Sequence, residues 1–242
     1  MKFYESIANY YEKIFPAQDS AEILQNEFFA AKRADILDVG CATGEISLGL
    51  SAANNITGID IDEEMIKIAK SKKRLNNSNV NFYSLDMNKI EGFFGPETFD
   101  GILCLGNTIV HLGGFGEIED FFKKIEKILK KGGQFIAQIL NYDMIISKKI
   151  SELPLIDNED ITFERYYDQI ENSSKLNFRS VLNIKKENRK IENNIALYPA
   201  GKNEIERALQ SAKFGGINFF SDIDRTAFDI NNSMTLAFHA RK

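Results

Sequence analysis

The stretch with the clearest chemical meaning is a run of small residues between two acids, Asp38 and Glu45. It reads Asp-Val-Gly-Cys-Ala-Thr-Gly-Glu and follows an apolar segment. Such a backbone lets a ligand approach closely. The spacing departs from the G-x-G-x-x-G pattern of dinucleotide loops, because Ala42 and Glu45 occupy two of its glycine positions. Asp38 would repel a diphosphate and attract a cation, so the run predicts a loop for a cationic small molecule rather than a nicotinamide dinucleotide.

Two further acids, Asp60 and Asp86, come at the ends of the next apolar runs. In open α/β sheets, ligands bind beyond the carboxyl ends of the strands, so these carboxylates could serve the same ligand as Asp38. A structural role is the alternative for each acid. Asp38 could cap a turn, and Asp60 or Asp62 could be the N-cap of the helix that follows.

The elements that position these acids alternate between short apolar runs and helical patterns, which is typical of a parallel sheet with right-handed crossovers. The predicted strands are Ile36–Val39, Ile56–Asp60, Val80–Leu85, Gly101–Leu105 and Gln134–Leu140. The predicted helices are Glu45–Ala52, Glu63–Leu75 and Glu119–Leu129. Gly132 and Gly133 are expected to end the last helix, since glycine enters the left-handed conformation without strain.

The chain changes character after Asn141, where apolar residues recur at every second position among charges of both signs. They are Phe163, Tyr167, Leu176, Phe178, Leu182 and Ile184. This pattern predicts antiparallel strands. We expect a two- or three-stranded meander, inserted after the fifth strand and covering its carboxyl end. The chain should continue with a helix at Asn203–Ala212, an extended segment at Ile217–Ser221 and a final strand at Met234–Ala240.

Composition excludes several classes of function. The 242 residues are 43% hydrophobic and carry a net charge of -5, which disfavours nucleic acid because its phosphates are bound by Lys and Arg. No apolar run approaches the ~20 residues of a membrane helix, and residues 1–20 hold no signal-peptide core, so we expect a cytoplasmic protein without a membrane partner. Two cysteines and two histidines predict neither a disulfide framework nor a metal site.

At these residues the sequence resembles the class I S-adenosylmethionine-dependent methyltransferases. The likeness lies in the segment from Ile36 to Glu45, in Gly58-Ile59-Asp60 and in Ser84-Leu85-Asp86-Met87. It implies a single domain with a Rossmann-like, doubly wound, mostly parallel seven-stranded sheet, an antiparallel last strand and an inserted antiparallel β-meander. Its expected parts are N-terminal lid helices (1–34), a donor-binding core (35–140), the meander (141–197) and a C-terminal part of the sheet (198–242).

The resemblance also implies which residues bind the donor S-adenosylmethionine. Asp60 would hold the ribose hydroxyls, since one carboxylate can accept from two adjacent hydroxyls. Asp86 would bind the adenine amine, and Met87 and Ile61 would pack on its ring. The family's middle loop glycine is Ala42 here. The loop positions implied are Asp38, Gly40, Cys41, Ala42 and Gly44. Cys41 and Cys104 are interpreted as packing residues rather than nucleophiles, because no activating base is evident.

A narrower resemblance, to glycine N-methyltransferase and related small-amine methyltransferases, begins at Leu105-Gly106-Asn107-Thr108 and includes His111. It implies that these four residues line the donor, that Asn107 faces the methyl acceptor and that Tyr11 closes over the donor as a lid. Asn107, His111 and Tyr11 are therefore the catalytic candidates. His111 could contact the acceptor or merely bond the helix that follows.

The acceptor side departs from that family. Leu140 stands where the family has a carboxylate-binding arginine, and Phe178 where it has a tyrosine, so glycine is not the expected acceptor. Arg165 or Arg179 of the meander could supply the missing cation, with Arg179 taken as the candidate. Tyr142 and Tyr198 could turn their hydroxyls toward the acceptor or fill space beneath the meander.

The prediction is a methyltransferase for a small molecule, with an amine nitrogen as the expected acceptor, acting by in-line transfer without a metal and as a monomer or homodimer. An O- or C-methyltransferase on the same scaffold is one alternative. A non-catalytic donor-binding module that regulates a partner is another, and it predicts an exposed apolar patch on the meander. A nicotinamide dehydrogenase is disfavoured by Asp38.

Overall fold

A computed structural model describes residues 2–30, 33–76 and 79–242 and shows two β-sheets. The larger sheet has seven strands in the order β10-β11-β5-β4-β1-β2-β3, and the smaller one, called the roof sheet below, runs β6-β7-β8-β9. The strands are β1 (Asp35–Val39), β2 (Asn55–Asp60), β3 (Val80–Ser84), β4 (Phe99–Cys104), β5 (Leu129–Leu140), β6 (Glu152–Asp157), β7 (Ile161–Gln169), β8 (Leu176–Ile184), β9 (Arg189–Leu197), β10 (Gly215–Phe220) and β11 (Thr235–Arg241).

The first three helices precede β1 in the chain, and most of the others lie between the strands of the larger sheet and cover it. They are α1 (Lys2–Ile7), α2 (Tyr11–Ile14), α3 (Ser20–Phe28), α4 (Glu45–Leu50), α5 (Glu63–Asn76), α6 (Ile90–Phe93), α7 (Phe115–Ile128), α8 (Tyr142–Ser147) and α9 (Lys202–Ser211). α7 shows why they pack there. Five of its apolar residues recur at helical spacing and are buried: Ile118, Phe121, Phe122, Ile125 and Ile128. No helix among the described residues is both long and apolar enough to cross a membrane.

The strand directions bring the predicted loops together. β1 pairs in parallel with β2 and β4, β2 with β3, and β4 with β5, whereas β11 runs antiparallel to both β5 and β10. The first five strands therefore end at one edge of the sheet, where ligands bind in such folds. The α/β fold, the antiparallel last strand of the sheet and the inserted antiparallel sheet are confirmed.

Two details of the predicted elements are wrong. The inserted sheet has four strands rather than two or three. β6 was missed because its register is interrupted between Leu153 and Ile156, and β9 because most of its residues are polar. Gly132 and Gly133 do not end α7, which stops at Ile128 before an extended Leu129. Gly132 has the expected left-handed backbone, with φ of 74°, but it lies inside β5. Its backbone conformation is as predicted, and the element that contains it is not.

The N-terminal helices pack on the roof sheet. Phe3, Ile7 and Ile14 form one apolar cluster with roof residues Ile161, Phe163, Leu182 and Ile184. The ring centroids of Phe15 and Phe163 lie 5.8 Å apart in an edge-to-face arrangement. The roof sheet and the N-terminal segment therefore form a single cover over the carboxyl edge of the larger sheet.

Candidate functional site

A cavity of about 500 Å³ lies between the larger sheet and this cover. Its floor includes the loops after β1 and β4, and its upper wall comes from the N-terminal helices and the roof sheet. Lining residues used below are Tyr4, Tyr11, Asp38, Gly40, Cys41, Ala42, Glu45, Leu105, Gly106, Asn107, Leu153, Phe163, Arg165, Tyr167, Phe178, Leu197 and Asp222. This volume is in the range of small-molecule sites.

The loop after β1, residues 40–44, turns through three left-handed positions. The φ angles are 75° at Gly40, 46° at Ala42 and 80° at Gly44. The carbonyl of Ile59 in β2 accepts the N–H of Gly40 at 2.8 Å and that of Cys41 at 2.9 Å. Ala42 is the one position of the three where a side chain adopts this conformation, which costs L-residues roughly 1–2 kcal/mol.

Asp60 holds this loop from the neighbouring strand. Its Oδ2 accepts the N–H of Ala42 and its Oδ1 that of Asp62, both at 2.9 Å. The backbone of Ile61 also hydrogen-bonds to this carboxylate, and Asp60 is not among the described residues that line the cavity. A carboxylate can accept further hydrogen bonds from a ligand that reaches it. Burial raises the pKa of Asp60. The N-cap of α5 is Asp62, whose Oδ1 accepts from the N–H groups of Glu64 and Met65, and this leaves Asp60 without that structural role.

Asp38 lines the cavity as a buried acid. Its Oδ2 accepts a hydrogen bond from Ser47 Oγ at 2.6 Å, and it shows 4% exposure. Desolvation raises its pKa to about 6, against the opposing effect of the Ser47 hydrogen bond. Because burial disfavours the charged form of this carboxylate, a cation bound beside it would stabilise that form.

The loop after β4 carries Gly106 and Asn107, with φ of 65° and 71°. No atom lies within 4 Å of the position that a Gly106 Cβ would take, so this backbone faces open space. Thr108 donates from Oγ1 to the Leu105 carbonyl at 2.8 Å. A Cβ on Gly40 would lie 2.5 Å from that Oγ1, which shows how tightly the two loops pack.

Asn107 ties the floor to the roof. Its Oδ1 accepts the N–H of Leu140 at 3.0 Å and its Nδ2 donates to the hydroxyl of Tyr142 at 3.0 Å. The Tyr142 hydroxyl also lies 3.1 Å from that of Tyr167 in β7. Tyr142 is fully buried. Asn107 lines the cavity, but its amide is committed to positioning β5 and α8, and Tyr167 rather than Tyr142 reaches the cavity wall.

His111 forms a hydrogen bond with Tyr4 of α1 and is not among the described residues that line the cavity. Its Nε2 lies 2.9 Å from the Tyr4 hydroxyl, and its buried Nδ1 has no hydrogen-bond partner. Desolvation lowers the pKa of His111 to about 4, which keeps the imidazole neutral near neutral pH. Tyr4 and Tyr11 both line the cavity. Burial and the carboxylates of Asp60 and Asp38 raise the pKa of Tyr11, so its phenol stays protonated.

Arg165 and Arg179 lie on opposite faces of the roof sheet. Arg165 in β7 lines the cavity, and its Nη2 donates to the Pro154 carbonyl at 2.6 Å. Arg179 in β8 stacks 4.1 Å from the ring centroid of Tyr166 and lies 3.7 Å from Asp168. The structure does not bring Arg179, the sequence candidate, to the cavity, because its position on the strand points it to the outer face.

Other candidates lie apart from the lining. Asp86 caps the 3₁₀ turn that follows it by accepting the N–H of Asn88 at 2.8 Å. Ile61 is 48% exposed, and Met87 packs on the main core. Tyr198 donates its hydroxyl to Glu204 at 2.6 Å, outside the cavity. Cys41 does line the cavity, whereas Cys104 does not. Both are buried free thiols whose pKa is raised by desolvation.

Sequence reasoning missed Tyr4, Tyr167 and Asp222 as lining residues. For the lining residues of the roof sheet, the sequence does contain a signal. Phe163, Arg165 and Tyr167 share the parity of one strand face, and that face is the buried one. For Asp222 no signal existed, because its place in the lining depends on the loop between β10 and β11.

The charges of the lining suit a cationic ligand at the floor. Among the described lining residues, Asp38, Glu45 and Asp222 are acids and Arg165 on the roof is the one cation. A ligand with an ammonium and a sulfonium group fits the acidic floor, whereas a diphosphate would meet no cation there. No cluster of three or more potential metal ligands occurs in residues 2–30, 33–76 and 79–242.

Comparison with known sequences gives consistent matches. Residues 36–133 match the sequence model of a family described as a methyltransferase domain. A putative methyltransferase of Geobacillus sp. (strain WCH70) is 30% identical over 145 residues, which are 56% of this chain and 57% of that protein. A putative protein N5-glutamine methyltransferase of Methanocaldococcus jannaschii is 31% identical over 152 residues, 55% of this chain and 74% of that protein.

Glycine N-methyltransferase of Rattus norvegicus is 30% identical over 128 residues, 46% of this chain and 42% of that enzyme. This chain thus spans only about half the length of several relatives that it matches. Among solved structures, an S-adenosylmethionine-dependent methyltransferase from Clostridium acetobutylicum ATCC 824 superposes with a TM-score of 0.82, covers 98% of both chains and is 16% identical. At that identity the match concerns the fold alone.

Proposed function

Because the chain belongs to the class I S-adenosylmethionine-dependent methyltransferases, we propose that it transfers a methyl group from S-adenosylmethionine to a small molecule whose acceptor atom is an amine nitrogen. The observation that carries the proposal is the covered cavity whose acidic floor is built from the loops after β1 and β4. Both loops expose left-handed backbone to it, which allows close contact with a ligand.

The donor would lie against these two loops. Asp60 accepts the ribose hydroxyls with its carboxylate, and Asp38 and Glu45 favour the donor's positive charges. Ile61, Asp86 and Met87 follow β2 and β3 at the same sheet edge, and we place the adenine there. When bound, the donor supplies an activated methyl group on a sulfonium, so the protein's work is positioning and exclusion of water.

The acceptor would enter from the roof side of the cavity. Tyr11 and Tyr167 line it as protonated phenols and can donate hydrogen bonds. Asn107 acts through the groups that it holds in place, β5 and Tyr142. A neutral amine attacks with its own lone pair in line with the breaking bond and releases its proton afterwards to solvent. This assignment needs no base inside the cavity, and it agrees with His111 being bonded to Tyr4.

The alternatives find less support. O-methylation of an alcohol calls for a base at the acceptor, and His111 does not line the cavity. The regulatory-module alternative requires an apolar patch on the roof sheet, where Leu155 is the one strongly exposed large apolar side chain among the described residues of β6–β9. We retain a small-molecule acceptor as the partner and a monomer or homodimer as the assembly.

Titration calorimetry tests the proposal directly. The protein should bind S-adenosylmethionine and S-adenosylhomocysteine but not NADH. Asp60→Ala should weaken donor binding by roughly 10- to 100-fold, since each charge-assisted hydrogen bond contributes about 1.5–3 kcal/mol. Asp35→Ala is the matched control, because Asp35 begins β1 at the far edge and pairs with Lys130. Equal donor affinity in the wild type and Asp60→Ala would refute the donor site.

The acceptor is tested separately. A screen of amines against matched alcohols and phenols, with S-adenosylhomocysteine formation as the readout, should give product with amines. Product from alcohols or phenols alone would assign the enzyme to O-methylation.

A further inference from the structure

Arg165 has hydrogen-bonding capacity that the protein leaves unused. Its Nη2 bonds the Pro154 carbonyl at 2.6 Å, but its Nε is buried and has no hydrogen-bond partner. Arg179, on the next strand, lies within 4 Å of a carboxylate, whereas no described carboxylate forms an ion pair with Arg165. A buried guanidinium donor without an acceptor is costly, and the nearby ring of Phe163, 5.9 Å from Cζ, offers only a weak contact at that distance.

A second unpartnered donor lies beside it. Ser180 is the register partner of Arg165 across β7 and β8, and such partners present their side chains on the same face. Ser180 shows 1% exposure, and its Oγ has no hydrogen-bond partner. Two adjacent donors on the inner face of the roof, Arg165 Nε and Ser180 Oγ, therefore have no acceptor. Arg165 lines the cavity, and Ser180 is buried beside it outside the lining.

The surroundings define what an acceptor for these donors must look like. Next to Arg165 the cavity wall is apolar, with Leu153, Phe163, Phe178 and Leu197. A single guanidinium with one nearby hydroxyl suits a monoanion, since a carboxylate can accept two N–H bonds from one guanidinium. A phosphate with its greater charge would be left with unsatisfied oxygens in this apolar wall.

We propose that Arg165, which lines the cavity beside Ser180, binds the carboxylate of the methyl acceptor, and that the acceptor is an apolar carboxylic acid carrying the nucleophile. This inference rests on the proposed methyltransferase function. It goes beyond that function by naming the substrate class. The donor also has a carboxylate, but the donor loops follow β1 and β4 in the larger sheet, whereas Arg165 and Ser180 belong to the roof sheet, which supplies the acceptor side.

Binding of matched acids and amides tests the proposal with probes that differ only in the carboxylate. The probes are L-phenylalanine and L-phenylalaninamide, L-leucine and L-leucinamide, and phenylacetate and phenylacetamide, titrated by calorimetry into protein saturated with S-adenosylhomocysteine. At least one acid should bind roughly 10- to 100-fold more tightly than its amide, as expected for a hydrogen bond to a charged group. Arg165→Gln should abolish this preference, and Arg165→Lys should keep part of it.

Arg179→Gln is the matched control and should keep the full preference, since Arg179 faces away from the cavity. The proposal is wrong if no acid of the panel binds the wild type, if acids and amides bind equally, or if Arg165→Gln retains the preference. A loss of S-adenosylmethionine affinity in Arg165→Gln would assign the arginine to the donor instead and overturn the proposal. If the wild type fails to bind S-adenosylhomocysteine, the donor assignment fails, and the same titrations without it still test Arg165.

Discussion

The carboxylate of Asp60 accepts a hydrogen bond from the backbone N–H of Ala42 at 2.9 Å, so an acid at the end of β2 fixes the loop that follows β1. The link crosses from one strand end to the next at the residue whose φ of 46° is the least favourable of the loop. The loop conformation and the position of the acid thus depend on each other.

Replacing Ala42 by glycine should stabilise the protein. Glycine adopts φ of 46° without the left-handed penalty, and the Asp60 hydrogen bond uses the backbone and remains. After the entropy of a more flexible unfolded chain is subtracted, a gain of roughly 0.5–1 kcal/mol in the free energy of unfolding is expected. Ala53→Gly, at an exposed position without positive φ, should lose stability by a similar amount. Urea denaturation measures the free energy of unfolding of both variants. A lower value for Ala42→Gly than for the wild type would contradict backbone strain at Ala42.

Gly40→Ala should destabilise the protein more than Gly106→Ala. Both positions are left-handed, so both variants pay that penalty. A Cβ on Gly40 would also lie 2.5 Å from Thr108 Oγ1 and 2.7 Å from its Cγ2, while nothing lies within 4 Å at Gly106. The difference in unfolding free energy should reach roughly 1–3 kcal/mol. Adding Thr108→Ala should recover part of it, and equal losses in the two glycine variants would show that the loops do not pack as described.

Asp38 should make the unliganded protein less stable as the pH rises. Its pKa lies at about 6 in the folded protein against 3.8 for an unperturbed aspartate, so between those values the folded state binds the extra proton and stability falls with rising pH. The fall should total roughly 2–3 kcal/mol. Asp38→Asn should remove it. Denaturation curves of both proteins at several pH values isolate the effect, and parallel pH profiles would refute it.

The same carboxylate should make donor binding depend on pH in the opposite direction. A bound cation favours the charged form of Asp38, so affinity for S-adenosylmethionine should rise as the pH increases through about 6. Calorimetry should show proton release on binding near that pH in the wild type and much less in Asp38→Asn.

Tyr4→Phe should cost roughly 1–3 kcal/mol of stability, because His111 would then have no partner at either ring nitrogen. Tyr10→Phe is the matched control. The Tyr10 hydroxyl bonds Glu187 in an exposed position, so its loss should stay within about 0.5 kcal/mol. Thermal and urea unfolding of the two variants check the difference. Equal stabilities of the two variants would mean that the Tyr4–His111 hydrogen bond does not stabilise the packing of the N-terminal helices.

The parts of the site that follow from local sequence were predictable. The small-residue loop after β1, the acid that ends β2 and the parallel order of the first strands all depend on neighbouring residues and on general rules of connection. They placed Gly40, Asp38 and Asp60 at one sheet edge.

The acceptor side of the site was harder to predict from the sequence, because it depends on contacts between distant segments. Whether Arg165 or Arg179 faces inward is decided by the pairing of β7 with β8, where a shift by one residue reverses the face. The sequence does not distinguish the hydroxyls of Tyr198 and Tyr4. The tertiary structure shows that Tyr198 bonds Glu204, whereas Tyr4 bonds His111 and lines the cavity.

The packing of the N-terminal helices on the roof sheet has a consequence for folding. Phe3 and Ile7 precede the strands that bury them, at Ile161 and Leu182, by more than one hundred residues. Contacts between such distant segments form late, since the intervening chain must first be closed into a loop. We therefore expect the cavity to be enclosed late in folding, when the N-terminal helices pack on the roof sheet.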